Sequence, residues 1–266
     1  MTQNPSPFIP ARHLVTGRLA VEIHANRVRM GRAAARAAAA WLHDVISAQG
    51  SARVIFACAP SQNEFLDALL DPVACGIALD WSRVTAFHMD DYLGLTADHP
   101  QSFRNYLRQH VLSRVPMGEF NPIVAEAADV NGFCREYTQL LRARPIDLIC
   151  LGIGENGHIA FNDPPVADFE DPALIKVVEL DDACRTQQVN DGCFPSFAKV
   201  PTHALSLTIP VFRQARRLSV HVPGKLKARA AAATVRDEIS TLCPATILRT
   251  HPNATLYLDQ ASASLL

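Results

Sequence analysis

A histidine stands among polar side chains at the end of an apolar stretch, in the segment LGIGENGHIAFNDP (151–164). An imidazole titrates near neutral pH, so His158 can move a proton between oxygen atoms. Asn156 and Asp163 flank it in the sequence and can fix its tautomer by hydrogen bonding. The segment is therefore a candidate acid/base site, but a lone histidine is more often structural, so a second group is needed.

The glycines of the same segment fit a different motif. Gly152, Gly154 and Gly157 have the spacing G-x-G-x-x-G of dinucleotide-binding turns. Such a turn must open a helix, whose free N–H groups hold the pyrophosphate. Pro164 and Pro165 come too soon for a helix of normal length, because proline restricts the preceding residue and lacks an N–H donor. A structural turn explains the glycines, but it leaves the polar side chains unexplained.

Two adjacent carboxylates end a second apolar stretch, in FHMDDYLGL (87–95). Asp90 and Asp91 repel each other, and partial burial would add to that repulsion, so both effects favour the raised pKa of a general base. A turn-capping pair of aspartates explains them equally well. No cluster of histidines or carboxylates at ligand spacing accompanies them, so the sequence predicts no metal site.

Two helix starts carry groups that suit an anion. In APSQNEF (59–65), Ser61 and Glu64 fit the capping box S-x-x-E, which predicts free backbone N–H groups at the positive end of a helix. In HVPGKLKAR (221–229), a glycine turn leads into a helix that carries Lys227. Capped helices and surface lysines are common, so each signal is weak alone.

The elements around these candidates alternate between strand and helix. This alternation predicts an α/β fold: a doubly wound, mostly parallel Rossmann-like sheet with helices on both faces, in one domain over residues 1–266. Ligands gather at the carboxyl ends of such strands, so the turns after residues 59, 89, 153 and 222 matter most. Strands are predicted over 53–59, 82–89, 146–153, 175–180, 203–209, 216–222 and 254–259, and helices over 19–48, 61–70, 99–115, 130–143 and 225–234.

Composition narrows the classes of partner. Of the 266 residues, 48% are apolar and 19% charged, with a net charge of -1, which disfavours nucleic acid and membrane surfaces as partners. The N-terminal segment lacks the pattern of a secretion signal, and the seven cysteines include no C-x-x-C pair. We expect a cytoplasmic protein with reduced core thiols, and the sequence leaves a homo-oligomer open.

Three segments together resemble a known family. FHMDDYLGL, HPQSF (99–103) and LGIGENGHIAFNDP are similar in order and spacing to the glucosamine-6-phosphate deaminase (isomerase) family of the 6-phosphogluconolactonase superfamily. The likeness runs from about residue 50 to 260, and Gly-His-Ile-Ala-Phe-Asn is its most specific part. The resemblance implies conversion of glucosamine 6-phosphate and water to fructose 6-phosphate and ammonia, without a cofactor.

The resemblance also implies roles for individual residues. Asp90 matches the carboxylate that moves a proton between C2 and C1, and His158 matches the ring-opening histidine. Asn156 and Asp163 match the groups that hold this histidine, although glutamate is usual at the second position. The residues expected to bind substrate or phosphate are Ser61, Gln62, Asp91, Gly154, Gly157, Arg185 and Lys227.

Two departures from the family pattern concern the phosphate. The family loop is normally Thr-Gly-Gly-Ser/Thr-Pro, whereas residues 59–63 read Ala-Pro-Ser-Gln-Asn and deny the ligand close backbone approach. In CRTQQVNDGCF (184–194), Asn190 replaces an arginine that faces the phosphate, and a two-point anion clamp is lost. Both changes indicate a divergent branch with another amino sugar or a differently placed phosphate.

Two alternatives share the fold. A 6-phosphogluconolactonase would be expected to read Gly-His-Thr-Ala-Ser-Leu-Phe-Pro, and GHIAFNDP (157–164) argues against it. A non-catalytic sugar-phosphate sensor agrees with the altered phosphate contacts but not with the retention of Asp90 and His158. The sequence therefore favours an amino-sugar phosphate deaminase acting on a small molecule.

Overall fold

The structure is a computed structural model that describes residues 8–266. The strands are β1 (Arg12–Thr16), β2 (Leu19–His24), β3 (Ala52–Phe56), β4 (Val84–His88), β5 (Asp90–Tyr92), β6 (Glu119–Asn121), β7 (Leu148–Leu151), β8 (Ile175–Glu179), β9 (His203–Leu207), β10 (Leu218–Val222) and β11 (Ala254–Asp259). The helices are α1 (Arg27–Gln49), α2 (Asn63–Leu69), α3 (Pro72–Cys75), α4 (Phe103–Leu107), α5 (Val130–Arg142), α6 (Asp182–Asn190), α7 (Ile209–Gln214) and α8 (Ala228–Arg236).

Eight strands form a central sheet in the order β1-β2-β11-β10-β7-β3-β4-β6. Every neighbouring pair is parallel except β1 with β2. Alternate side chains of β3 and β7 enter two separate apolar clusters, so both faces of the sheet are covered. The predicted α/β class with a mostly parallel sheet is confirmed.

The structure has a second, smaller sheet, whereas the sequence predicts a single parallel series of strands. β5, β9 and β8 pair antiparallel, in that order, apart from the central sheet. Periodicity predicts the strands at 175–180 and 203–209 but places them in the parallel series, because a short apolar run does not reveal its partner. The second sheet matters because its strand β5 begins at Asp90.

The predicted helix over residues 19–48 is wrong in its first turns. Leu19, Val21 and Ile23 are buried at alternate positions in β2, which pairs with β11. The helix begins only at Arg27, where the side chain of Asn26 accepts a hydrogen bond from the N–H of Arg29. The alanine-rich helical pattern follows β2 so closely that the alternating period of this strand is not recognised in the sequence.

The predicted helix over 99–115 is also shorter. It begins at Phe103 and continues into a wider π-type turn over Arg108–Leu112.

No helix within residues 8–266 combines the length and apolar character needed to cross a bilayer.

Candidate active site

A cavity lies where the strand order reverses. β3 and β7 are neighbours at the centre of the sheet. β4 and β6 lie beyond β3 on one side, and β10 and β11 lie beyond β7 on the other. The residues after β3, β4, β7 and β10 line an open cavity, whose empty space of about 580 Å³ includes solvent at its mouth. These are the four turns that the sequence indicates. Of the expected site residues, the cavity is lined by Ser61, Gln62, Asp90, Gly154, His158 and Lys227.

His158 faces the cavity while Asp163 holds its ring from behind. Nδ1 of His158 lies 2.8 Å from Oδ1 of Asp163, whose side chain is fully buried. The side-chain amide of Asn156 donates to the same oxygen at 2.9 Å and accepts from the backbone N–H of His158 at 3.1 Å. With Nδ1 held in this way, Nε2 is the nitrogen available to a ligand. Asn156 and Asp163 do not line the cavity and contact the histidine from outside it.

The electrostatics of Asp163 suit this role. Burial raises the pKa of the carboxyl, but the hydrogen bond and charge of His158 and the N–H donors of Asn156 and Asp181 outweigh it, so the net pKa is below its ordinary value. Asp163 is therefore a carboxylate at neutral pH. A carboxylate at Nδ1 holds the imidazole in one orientation, with Nε2 toward the cavity.

The glycines of this segment make room for the histidine. A Cβ atom on Gly154 would lie 2.3 Å from Cε1 of His158, so only glycine leaves space for the ring there. Gly157 has a φ of 86°, and a Cβ on it would lie 2.5 Å from Sγ of Cys243. Ala160, also in the left-handed region with a φ of 51°, closes the turn. The nucleotide-like spacing thus serves local packing, and Gly157 itself lies outside the cavity lining.

Asp90 enters the same cavity from β5. It pairs with Ser206 of β9, and Oγ of Ser206 accepts a hydrogen bond of 3.1 Å from the N–H of Phe161. This contact ties the strand of Asp90 to the turn that carries His158. Asp90 is 5% exposed, and burial, then the charge of Asp91, raise its pKa well above the ordinary value. Both effects move the carboxyl toward the range of a general base.

Asp91 does not line the cavity, contrary to its expected contact with substrate. Its carboxylate accepts hydrogen bonds from Oγ of Ser102 at 3.0 Å, from the N–H of Phe103 at 3.1 Å and from Nε of Arg104 at 3.0 Å. A buried charge needs such partners. Asp91 therefore anchors the start of α4 and raises the pKa of Asp90, so its contribution to the site is indirect.

The expected capping box at residues 61–64 does not form. Oε1 of Glu64 pairs with Nε of Arg27 at 2.6 Å, and residues Pro60–Gln62 form a 3₁₀ turn before the short α2. Arg27 also donates to the carbonyl of Pro60 at 2.8 Å, and Tyr106 to that of Ala59 at 2.9 Å. The loop is thus held through its carbonyl groups, and its side chains face the cavity.

Lys227 is the one lysine or arginine, among the described residues, that lines the cavity. Burial lowers its pKa, while the charges of Asp191 and Glu155 act in the opposite direction. Asp191 lines the cavity as well, beside Gln187. No recognisable motif in the sequence marks Gln187, which lies in α6, or Asp191, which follows this helix. A carboxylate beside the lysine weakens its pull on an anion.

Arg185 lies away from the cavity, although it is expected to bind the phosphate. Its guanidinium donates to the carbonyls of Phe197 at 3.1 Å and Val200 at 3.2 Å, and it lies 3.9 Å from the centre of the Phe197 ring. These contacts hold the turn after α6. Asn190, at the end of α6, does not line the cavity either.

Cys184 is a further neighbour that the sequence did not indicate. Its Sγ, a ring nitrogen of His158 and a carboxylate oxygen of Asp163 lie within 4.8 Å of one another, a spacing that a metal ion could occupy. Both oxygens of Asp163 already accept hydrogen bonds from nitrogen donors. Burial, followed by the charges of Asp163 and Asp181, raises the pKa of the thiol well above its ordinary value, so it is a poor ligand. The donor set therefore does not favour a metal ion at this place.

Comparison with known proteins identifies one family. The family model described as glucosamine-6-phosphate isomerases/6-phosphogluconolactonase matches residues 25–257. A glucosamine-6-phosphate deaminase of Geobacillus sp. is 38% identical over 189 residues, covering 70% of this chain and 73% of the relative. One from Listeria monocytogenes is 36% identical over 188 residues, covering 71% and 78%.

Solved structures give the same result. A monomeric glucosamine-6-phosphate deaminase superposes with a TM-score of 0.84 at 28% identity, covering 92% of this chain and 99% of that one. A 6-phosphogluconolactonase of Thermotoga maritima superposes with a TM-score of 0.72 at 14% identity, covering 91% and 99%, and shows the shared fold. The fold is the α/β domain that these proteins share. The chain belongs to the glucosamine-6-phosphate isomerase/6-phosphogluconolactonase family.

Proposed function

We propose that the protein is an amino-sugar phosphate deaminase that converts glucosamine 6-phosphate and water to fructose 6-phosphate and ammonia. The observation that carries the proposal is that Asp90, in β5 of the second sheet, and His158, in the turn that follows β7 of the central sheet, face one cavity at the strand reversal. Relatives of 35–38% identity are named glucosamine-6-phosphate deaminase, which supports this activity over the others of the family.

His158 opens the sugar ring in this scheme. Opening requires that a proton leave the C1 hydroxyl and that the ring oxygen receive one. Nε2 of His158 is the exchangeable position, because Nδ1 is held by Asp163. The charge of Asp163 stabilises the imidazolium that forms between the two transfers.

Asp90 then performs the aldose-to-ketose shift. Its carboxylate takes the proton from C2 of the open-chain amino sugar while the carbonyl oxygen at C1 gains a proton, which leaves an enolamine. Asp90 then returns a proton to C1 while the amino group loses one. The product of this step is an imine at C2. Water adds to that carbon and ammonia leaves, giving the ketose. One carboxyl on one face of the substrate suffices, and its raised pKa suits it to both transfers.

The phosphate would lie at the end of the cavity formed by Ser61, Gln62 and Lys227. Three features make this end a weak anion site: the loop lacks glycines, Lys227 is accompanied by Asp191, and Arg185 faces elsewhere. The neutral donor Ser61 therefore carries more of the binding than it would beside a glycine-rich loop. A differently placed phosphate or another amino sugar is consistent with the same arrangement.

One assay tests the proposal. The protein is incubated with glucosamine 6-phosphate, and ammonia and fructose 6-phosphate are followed together; we expect them in equal amounts. A parallel incubation with 6-phosphogluconolactone is expected to show no hydrolysis above the uncatalysed rate. If neither deaminase product forms while the sugar phosphate binds, the protein is a sensor and the proposal is wrong. A cytoplasmic location and the oligomeric state stay predictions.

A further inference from the structure

The buried imidazole of His221 connects the core to the cavity wall. Its side chain, in β10, is fully buried and stacks on Phe65 with ring centroids 3.7 Å apart. Nδ1 lies 2.7 Å from Oε1 of Gln62, and Nε2 lies 2.8 Å from Oγ of Ser219. Nε2 of Gln62 in turn lies 3.1 Å from Oγ of Ser61. Four polar side chains thus form a continuous line from the core to the cavity.

The chemistry of the groups fixes the direction of each hydrogen bond. The amide nitrogen of Gln62 faces the carbonyl oxygen of His221 at 3.4 Å, and a carbonyl can only accept. Oε1 of Gln62 therefore faces Nδ1, which must carry a hydrogen, and Nε2 of His221 accepts from the hydroxyl of Ser219. Burial lowers the pKa of His221 to about 3, so the ring is neutral and this pattern is stable at neutral pH.

The consequence reaches Ser61 at the cavity. Because the amide of Gln62 donates to Oγ of Ser61, the hydroxyl hydrogen of Ser61 is left for another acceptor. Ser61 and Gln62 both line the cavity. We propose that His221 is a positioning residue that fixes the amide of Gln62, so that Ser61 presents its hydroxyl hydrogen to the substrate phosphate. This inference rests on the proposed function, since it concerns the phosphate end of that site.

The arrangement provides a substitute for what the loop lacks. Glycines let backbone N–H groups approach an anion, whereas residues 59–63 contain none. Gly152 makes the substitute fit: a Cβ there would lie 3.2 Å from Nε2 of Gln62 and 3.5 Å from Oγ of Ser61. The first glycine of the nucleotide-like spacing therefore leaves room for the side-chain donors of the opposite loop.

Two variants at position 221 separate positioning from folding. His221→Leu removes the donor to Gln62 but keeps an apolar side chain against Phe65. His221→Asn retains an N–H group near the place of Nδ1. For each variant we would measure KM and kcat with glucosamine 6-phosphate, inhibition by inorganic phosphate, and the thermal midpoint.

We expect His221→Leu to raise KM and the phosphate inhibition constant about 3- to 10-fold, the effect of one hydrogen bond, with kcat within about 2-fold of the wild type. With His221→Asn, KM and the phosphate inhibition constant should stay close to their wild-type values. Ser61→Ala should raise them similarly, and adding His221→Leu to it should cost no more, because both act through one contact. If Leu at this position prevents folding, the same cycle is run with Gln62→Leu.

Several results would overturn the inference. A fall in kcat and thermal midpoint with unchanged KM would make His221 purely structural, and additive effects of Ser61→Ala with His221→Leu or Gln62→Leu would break the proposed chain. Phosphate binding is measured independently of turnover. A wild-type protein that binds phosphate without releasing ammonia would sink the deaminase proposal alone, whereas an active protein whose phosphate binding ignores these variants would sink this one alone.

Discussion

Asp163 lies 2.8 Å from His158, through Oδ1 and Nδ1, and only the imidazole of the pair faces the cavity. Asp163→Asn keeps the size of the side chain but removes the charge that stabilises the imidazolium. We expect kcat with glucosamine 6-phosphate to fall by about 10²-fold, the low end of acid/base contributions, with KM little changed. Unchanged kcat would show that the pair does not act in ring opening.

Asp163→Asn should also change how the stability of the protein depends on pH. The pKa of Asp163 is lower in the folded protein than in the unfolded chain, so its contribution to stability is present above the unfolded pKa and is lost as pH falls through the folded one. Urea unfolding of Asp163→Asn should therefore show a deficit at pH 7 that shrinks below about pH 4. If the loss of stability had the same size at pH 7 and below about pH 4, the charge of Asp163 would not be its cause.

The effect of Asp90 on stability should depend on pH in the opposite direction. Its pKa is raised in the folded protein, so the folded state loses stability as pH rises from the unfolded toward the folded pKa. Asp90→Asn removes this penalty, and we expect it to raise the thermal midpoint at pH 7; each 1 kcal/mol gained corresponds to about 2–4 °C in a chain of this size. The gain should vanish in acid. A lower midpoint at pH 7 would contradict the burial of an unfavourable charge.

Gly154 gives a steric test of the histidine position. Its missing Cβ would lie 2.3 Å from the imidazole of His158, and its backbone is outside the left-handed region. Gly154→Ala should displace the ring and lower kcat by about 10-fold or more, since small misplacements of catalytic groups are costly. In a His158→Ala background the same change should have no further effect on kcat. A further loss there would place the clash elsewhere.

Lys227 and Asp191 should affect phosphate binding in opposite directions. Lys227→Met removes a charged donor, and we expect KM for glucosamine 6-phosphate to rise about 10- to 100-fold. Asp191→Asn removes the competing carboxylate and should lower KM about 2- to 5-fold. Inhibition by inorganic phosphate measures the same effect without turnover. If Asp191→Asn weakened phosphate inhibition, Asp191 would be binding the ligand through a water or a cation.

The sequence predicted the sheet and the turns better than it predicted side-chain partners. The turns after 59, 89, 153 and 222 follow from strand periods, and all four meet at the cavity. Glu64 was matched to a local capping motif, yet its partner is Arg27 from the preceding helix. Local spacing cannot reveal such a long-range ion pair.

The same limit explains the residues that were missed. Gln187 of α6 and Asp191, which follows this helix, line the cavity, and His221 contacts Gln62 from 159 residues away in the chain. No motif marks these contacts, since they depend on how separate elements pack. Asp90 and His158 were found because both end apolar strands, where polar side chains are out of place unless they have a role there.

The central claim is that Asp90 removes the C2 proton of glucosamine 6-phosphate in this cavity. The most direct measurement uses glucosamine 6-phosphate deuterated at C2, with the wild type and Asp90→Asn compared by mass spectrometry and ammonia assay. We predict that the wild type moves deuterium from C2 to C1 or to water while releasing ammonia, and that Asp90→Asn leaves the label at C2. Loss of the label at the wild-type rate in Asp90→Asn would contradict the account.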